Sequence, residues 1–207
     1  LGPPGFAALK KVISAVPDEV PVILDAKRGD IGSTSAAYAR AAFEELGADA
    51  ITVSPYLGRD GLAPFWQSAD RGVFLLTRTS NPGAAEIQDA VIEGGQGRVY
   101  ELIARLGQEW NVEDNIGLVA GATQPAALEA IRRAAPEMWI LSPGVGAQGG
   151  DLVRALSVGL RNDGLGMLVA VSRSISRTQD RRAAAQRLLD EYRALVCRGD
   201  IGESSST

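Results

Sequence analysis

The stretch Val22-Ile-Leu-Asp-Ala-Lys-Arg-Gly-Asp-Ile31 decides the fold, because it passes from an apolar run through charged residues and a glycine into a new segment. That segment, at about residues 32–46, has the apolar spacing of an amphipathic helix. The same order of apolar run, polar turn and helix recurs along the chain. Strands that alternate with helices in this way predict an α/β fold with a parallel sheet.

The apolar runs are rich in Val, Ile and Leu and do not alternate with polar residues, which is typical of strands buried on both faces. We predict strands at residues 20–24, 50–53, 73–77, 116–120, 138–141 and 167–171. Helical patterns lie at about residues 6–16, 32–46, 60–69, 97–110, 124–135, 150–161 and 176–197.

These elements favour a (β/α)8 TIM barrel with six of its eight strands visible. No G-x-G-x-x-G pattern follows the first strand, which argues against a dinucleotide-binding sheet. Because the chain opens on a helix, we expect two earlier βα units, less their last helix, to lie outside this sequence. We expect one N-terminally incomplete barrel domain over residues 1–200 and a disordered tail over residues 201–207.

The composition of the 207 residues excludes several kinds of chemistry. The net charge is −4 and no basic patch with interleaved aromatic residues occurs, so we expect no nucleic-acid partner. The absence of histidine excludes Ser-His-Asp and Cys-His mechanisms within the chain, and the one cysteine excludes zinc-type spacing. Acid–base chemistry falls to Asp, Glu, Lys or Tyr. Without a signal peptide or a membrane-length apolar run, we expect a cytoplasmic protein and no membrane partner.

Two charged side chains end the first predicted strand. Asp25 and Lys27 are two residues apart, so on a strand they point to the same side, at the end where barrel active sites lie. Asp30 follows on the turn. Burying such charges in a water-poor cavity costs more than pairing returns, which favours a chemical role. A structural salt bridge at a strand end is the alternative, and spacing alone leaves both open.

A glycine-rich segment, Ser142-Pro-Gly-Val-Gly-Ala-Gln-Gly-Gly-Asp151, follows the fifth predicted strand. It precedes a helical pattern, so free backbone N–H groups can face an anion. Arg173 follows the last strand and can bind a phosphate with two hydrogen bonds. If two strands precede the chain, these are the usual phosphate-binding loops of a barrel. The alternative is a flexible turn.

Three motifs resemble one family. Residues 24–32, Leu-Asp-Ala-Lys-Arg-Gly-Asp-Ile-Gly, resemble the D-x-K-x-x-D-I-G motif of orotidine 5′-monophosphate decarboxylases. Residues 143–151 resemble the family's P-G-V-G-A-Q-G-G-D, and residues 77–83 its strand-five segment. The resemblance runs from the opening helix to about residue 193. It implies decarboxylation of orotidine 5′-monophosphate to uridine 5′-monophosphate in de novo pyrimidine biosynthesis, with no metal or organic cofactor.

The resemblance also implies roles for individual residues. Lys27 would stabilise the charge that develops on C6 and then protonate it, Asp25 would lie beside the departing carboxylate, and Asp30 would act across a homodimer interface. The implied substrate-binding residues are Ile31, Thr34, Ser80, Pro143, Gln148 and Arg173. Of these, Ser80 would contact the pyrimidine, Arg173 the phosphate, and Gln148 the phosphate or the pyrimidine side of the nucleotide. The family's ribose-binding aspartate and second lysine, on its first two strands, have no counterpart in this sequence.

Two other functions remain open. A metal-dependent sugar-phosphate aldolase or decarboxylase of a sister family shares the D-x-K-x-x-D pattern, although Ser80 and the segment around Gln148 favour the nucleotide enzyme. An inactive nucleotide-binding protein is the second alternative.

Overall fold

The computed structural model describes residues 2–95, 97–146 and 149–198, with side chains to residue 196. Its parallel strands are β1 (Ile23–Arg28), β2 (Ala50–Val53), β3 (Gly72–Arg78), β4 (Ile116–Ala120), β5 (Ile140–Pro143) and β6 (Met167–Ala170). The α-helices are α1 (Gly2–Ile13), α2 (Gly32–Arg40), α3 (Gly58–Leu62), α4 (Ala85–Gln88), α5 (Val99–Trp110), α6 (Pro125–Ala134), α7 (Leu152–Gly159), α8 (Arg173–Ser176) and α9 (Arg181–Arg198). The predicted tail, at residues 201–207, lies outside the described residues.

One compact unit comprises Leu1–Leu76 and Glu109–Gly117. In it β1 pairs in parallel with β2, and β2 pairs with β3 from Ala50↔Gly72 to Val53↔Leu75. All four residues of β2 are buried, as its apolar run predicts. The largest buried side chains of this unit are Ile51, Val53, Leu62, Phe65, Val73 and Leu75.

The second compact unit comprises Thr77–Gln108 and the chain from Leu118 onward. In it β4 pairs in parallel with β5, and β5 with β6 from Ile140↔Met167 to Pro143↔Ala170. The apolar faces of α6 and α7 complete the core, which includes Leu118, Leu128, Ile131, Met138, Ile140 and Leu156. The expectation of one domain over residues 1–200 stays a prediction.

The first predicted strand is placed too early. Residues 20–22 are not in a strand, because Val20 N closes a turn onto Pro17 O at 2.9 Å and Pro21 has no N–H to donate. β1 therefore begins at Ile23 and runs on to Arg28. The predicted burial on both faces is also wrong for β1 and β6, which are partly exposed. In the described sheet each of them pairs on one side only.

Other bounds differ by a few residues. β5 begins two residues later than predicted. The helix predicted at 176–197 corresponds to α9, which begins at Arg181, and the short α8 before it is not predicted. The helix predicted at 32–46 changes to a π-helical turn at Ala41–Glu45. Among the helices of the described ranges, none has the length and apolar character needed to cross a membrane.

Arg132, in α6, holds the turns of the second unit together through its guanidinium. Burial, with the charge of Arg161, lowers the pKa of Arg132 to about 10, so the group still carries its charge at neutral pH. The guanidinium donates hydrogen bonds of 2.7–3.3 Å to the carbonyl oxygens of Ala135, Pro136, Met138, Gly159 and Gly166. The carbonyls of Met138 and Gly166 lie just before β5 and β6, so one side chain bonds to the chain ahead of both strands.

We predict that Arg132→Met lowers the free energy of unfolding by about 2–4 kcal/mol, because several part-buried carbonyls lose their charged donor together. The neighbouring Arg133→Met is the matched control. Arg133 is exposed, and its replacement is expected to change the free energy of unfolding by no more than about 0.5 kcal/mol. Denaturant unfolding of both variants checks the prediction, and equal effects would contradict it.

Candidate active site

The Asp25 carboxylate is the centre of the charged group at the end of β1. Its Oδ1 accepts a hydrogen bond from Lys27 Nζ at 2.5 Å and a second from Thr52 Oγ1 at 2.9 Å. Thr52 Oγ1 also accepts a hydrogen bond from Lys27 N at 2.9 Å. The structure thus brings Asp25 and Lys27 together, and it adds Thr52, which sequence reasoning missed.

The backbone reason for this contact differs from the one expected. From Leu24↔Ile51 to Arg28↔Val53, β1 advances four residues (24 to 28) while β2 advances two (51 to 53). The two extra residues of β1 form a bulge, and Lys27 lies in it with a φ of 49°. Asp25 and Lys27 therefore meet because the strand is irregular, and the simple alternation of a regular strand does not apply.

The ion pair is open to solvent in the described chain. The side chains of Lys27 and Asp25 are 50% and 63% exposed, so the pair contributes about 0–1 kcal/mol to stability. Burial raises the pKa of Asp25, but the hydrogen bonds from Lys27 and Thr52 and the charge of Lys27 outweigh this effect, so the pKa lies below its ordinary value. Asp25 is therefore a carboxylate at neutral pH. The expected water-poor cavity is not formed by the described residues.

Asp30, Ile31 and Thr34 lie just beyond the ion pair along the chain. Asp30 Oδ1 accepts a hydrogen bond from Ile31 N at 2.8 Å, and Ser35 Oγ donates to Asp30 O at 2.7 Å, so the turn into α2 is fixed at two points. Among the described residues, no hydrogen bond or ion pair joins Asp30 to Lys27. Ile31 and Thr34 are both exposed, Ile31 by 64%.

The loop after β3, which carries Ser80, is fixed by buried polar contacts of the second unit. The Arg78 guanidinium, whose side chain is 5% exposed, binds Asp89 through two hydrogen bonds of 2.7 and 3.1 Å. Arg78 also donates to Thr79 O, and Gln88 Oε1 accepts from Thr79 N at 2.8 Å. These contacts tie both ends of the loop and set the position of the half-buried Ser80.

Gly121, at the end of β4, makes room for Ser80. A Cβ atom on Gly121 would lie 2.9 Å from Ser80 Cβ and 3.0 Å from its Cα, closer than real side chains approach. The two segments are joined directly, since Gly121 N donates to Arg78 O at 2.8 Å. Sequence reasoning did not identify this role for Gly121, and only the packing shows it.

The two loops expected to bind phosphate pack against each other in the second unit. A Cβ atom on Gly146 would overlap Ser174 Oγ and would lie 3.3 Å from Ser174 Cβ, and Gly146 has a φ of 73°. The glycine-rich loop also closes on itself, because Gly146 N donates to Gly150 O at 3.0 Å and Gly150 N to Gly144 O at 3.1 Å. Glycine is required at position 146 by the close approach of the second loop.

Of the other predicted residues of these two loops, the structure describes Pro143 and Arg173. Pro143 O accepts a hydrogen bond from Ala122 N at 2.9 Å, and Arg173 is exposed at the first residue of α8. Gln148 lies outside the described residues. We expected the backbone N–H groups at the start of α7 to be free for an anion. One of them, Arg154 N, instead donates to the Asp151 carboxylate at 3.1 Å.

The candidate residues thus form two groups. Residues 25–34 belong to the first compact unit, whereas Ser80, Pro143 and Arg173 belong to the second. Within the described ranges, no group of three or more Asp, Glu, Cys or His side chains is arranged to hold a metal ion.

Comparison with known proteins identifies the family. The family model for orotidine 5′-phosphate decarboxylase / HUMPS matches residues 4–188. The chain belongs to this family. The orotidine 5′-phosphate decarboxylases of Thermomicrobium roseum and Roseiflexus castenholzii are 51% and 52% identical to it, over 91% and 84% of this chain. The solved OMP decarboxylase of Leishmania donovani is 48% identical, with a TM-score of 0.89 over 95% of this chain and 76% of its own.

The decarboxylase relatives confirm the predicted fold class, that of a (β/α)8 barrel, six of whose strands lie in the described part of this chain. The chain covers 70% of the Thermomicrobium roseum protein and 64% of the Roseiflexus castenholzii protein. It therefore spans about two thirds of the length of these curated relatives.

We predict that Gly121→Ala displaces Ser80 and lowers the free energy of unfolding by about 1–3 kcal/mol, because the added methyl group meets backbone atoms that cannot move freely. Gly83→Ala is the matched control in the loop after Ser80, since a Cβ atom there would make only ordinary contacts of 3.7 and 3.9 Å. Thermal unfolding and a crystal structure of each variant check the prediction. An unmoved Ser80 in Gly121→Ala would contradict it.

Proposed function

We propose that the protein decarboxylates orotidine 5′-monophosphate to uridine 5′-monophosphate. The observation that carries this proposal is the Lys27 ammonium, held by Asp25 at the end of β1 within the D-x-K-x-x-D motif. Family membership adds support, because the curated relatives that share about half of their residues with this chain carry the name of this activity.

The chemistry needs a fixed positive charge. Loss of carbon dioxide leaves an electron pair on C6 of the pyrimidine, with no neighbouring ring position that readily delocalises it. An ammonium held beside C6 stabilises this charge most where it develops, in the transition state. Lys27 then donates a proton to C6 as the general acid. The carbon–carbon bond electrons go to C6, carbon dioxide leaves, and the proton of Lys27 forms the new C–H bond.

Asp25 has two tasks in this mechanism. Its carboxylate holds Lys27 by the 2.5 Å hydrogen bond, and it lies near the substrate carboxylate that departs. Its low pKa keeps it ionised at neutral pH, so it does not take over the role of proton donor from Lys27. The reaction, as proposed, uses only side chains of the protein and the substrate.

Substrate binding is assigned to the loops of the second unit and the start of α2. Arg173 binds the phosphate, Ser80 contacts the pyrimidine, and Gln148 contacts the phosphate or the pyrimidine side of the nucleotide. The close packing of Gly146 against Ser174 supports the assignment of the phosphate to these two loops. Ile31, Thr34 and Pro143 are the other proposed substrate-binding residues. Binding energy from the phosphate, remote from C6, is available to stabilise the transition state.

A homodimer in which Asp30 reaches the site of the partner subunit completes the proposal. Two observations support it. The Asp30 side chain bonds only to its own turn among the described residues, and the apolar side chains near it are exposed, Ile31 by 64% and Leu57 by 40%. Gly61 lies between them, where a Cβ atom would be 3.0 Å from Asp30 O and 3.2 Å from Leu57 Cβ. Such a patch suits an isologous interface.

We predict that Lys27→Ala lowers kcat for orotidine 5′-monophosphate by at least about 10³-fold, because it removes both the charge beside C6 and the proton donor. The loss of substrate absorbance, measured with EDTA present, follows the reaction in the full-length protein. Lys10→Ala, which removes an exposed lysine of α1, is the matched control and is expected to leave kcat unchanged. Activity that EDTA abolishes would instead favour the metal-dependent alternative.

We predict that mixing Lys27→Ala with Asp30→Ala restores about one quarter of the parent activity. If Asp30 acts across a symmetric dimer, about half of the exchanged dimers are mixed, and each contains one intact site. If Asp30 acts within its own subunit, neither site of a mixed dimer is intact. Activity after subunit exchange in mild denaturant distinguishes the two, and no recovery despite proven exchange would exclude the shared site.

A further inference from the structure

Thr52 is the polar residue of an otherwise apolar strand. Its neighbours in β2 are Ala50, Ile51 and Val53, all buried, and Thr52 itself is 1% exposed. A buried hydroxyl group requires hydrogen-bond partners, and a valine would fill the same space without that requirement. The presence of threonine in this strand therefore needs a reason in the contacts of its hydroxyl group.

The hydroxyl group closes a ring of hydrogen bonds around the ion pair. Thr52 Oγ1 donates to Asp25 Oδ1 at 2.9 Å and accepts from Lys27 N at 2.9 Å, while Lys27 Nζ donates to the same Asp25 Oδ1 at 2.5 Å. Thr52 Oγ1 thus fixes both the Asp25 carboxylate and the backbone of Lys27. The donor and acceptor capacities of the hydroxyl group are both used.

The contact with Lys27 N lies at the strained point of the strand. Lys27 has a φ of 49°, a conformation that side chains other than glycine rarely adopt, within a bulge whose residues have left the ladder with β2. In a bulge the backbone N–H loses its usual partner on the neighbouring strand. Thr52 supplies a replacement from that same strand and thereby fixes the direction in which the Lys27 side chain leaves the backbone.

We propose that Thr52 is a positioning residue, whose hydroxyl group holds the Asp25 carboxylate and the left-handed backbone of Lys27 so that the ammonium remains directed at the reacting carbon. Its importance for turnover rests on the proposed decarboxylase function. Thr52 acts through Asp25 and Lys27 and need not touch the substrate.

Two substitutions distinguish the effect of the Thr52 hydroxyl group from the effect of the side chain's shape. Thr52→Val keeps the volume and the branching but removes both hydrogen bonds, whereas Thr52→Ser keeps the hydroxyl group. We expect Thr52→Val to lower kcat by about tenfold or more, with KM changed much less, because a hydrogen bond to a charged group is lost where the reaction occurs. Thr52→Ser is expected to keep kcat within about threefold of the parent.

Ile51→Val is the control for general weakening of β2. It removes one buried methylene group from the residue next to Thr52 and so lowers the free energy of unfolding modestly. It leaves the ring of hydrogen bonds intact. We expect its kcat to equal that of the parent. A fall in kcat as large as that of Thr52→Val would overturn the proposal.

A titration without substrate tests the contact directly. The hydrogen bond from Thr52 is one of the causes that lower the pKa of Asp25, while burial acts in the opposite direction. The NMR signal of the Asp25 carboxyl carbon is therefore expected to titrate at higher pH in Thr52→Val than in the parent or in Thr52→Ser. The sign is fixed: removing a donor to the carboxylate favours its protonated form.

The outcomes separate this inference from the proposed function. An unchanged Asp25 titration in Thr52→Val, a kcat within about threefold of the parent, or an equal loss in Thr52→Ser would each overturn the role of Thr52. A parent protein that does not decarboxylate orotidine 5′-monophosphate would overturn the proposed function alone, because the titration tests the positioning of Asp25 in the absence of substrate.

Discussion

The Asp25 carboxylate, bonded through one oxygen to the Lys27 ammonium and the Thr52 hydroxyl group, is the interaction on which the proposed chemistry depends. It holds the Lys27 ammonium in a fixed position at the irregular end of β1. An exposed ion pair of this kind adds little to stability. Its value is geometric, because a lysine with several rotatable bonds is useful in catalysis only if its ammonium is held in one place.

In the second unit, the loops to which we assign the phosphate and the pyrimidine are held by close packing. Gly121 allows Ser80 to approach the end of β4, and Gly146 allows the glycine-rich loop to approach Ser174. The bidentate Arg78–Asp89 pair then ties the Ser80 loop to the end of α4. Close backbone approach and a buried ion pair thus give rigidity to loops that sequence composition alone would describe as flexible.

How far the sequence predicted this structure depends on the type of element. The runs at residues 50–53 and 116–120 are strands with the predicted bounds, because short, mostly apolar runs flanked by turns leave little choice of where a strand begins and ends. The start of the first strand is predicted wrongly, because a local turn joins Val20 N to Pro17 O and Pro21 has no N–H to donate. The bulge at Lys27 is a different case, since it depends on pairing with β2, which is distant in sequence. The Asp25–Lys27 contact is predicted from alternation along one strand. The contact of Thr52 with Asp25 depends on the pairing of two strands that are distant in sequence, and the sequence shows only a threonine within an apolar strand.

A crystal structure of the full-length protein with uridine 5′-monophosphate bound would show whether Lys27 faces the reacting carbon. We expect Lys27 Nζ to lie about 3–3.5 Å from C6 of the pyrimidine, with Asp25 still bonded to it, and the phosphate to contact Arg173 beside the glycine-rich loop. A nucleotide whose C6 atom lies well beyond contact distance of Lys27, or whose phosphate binds away from Arg173, would contradict it.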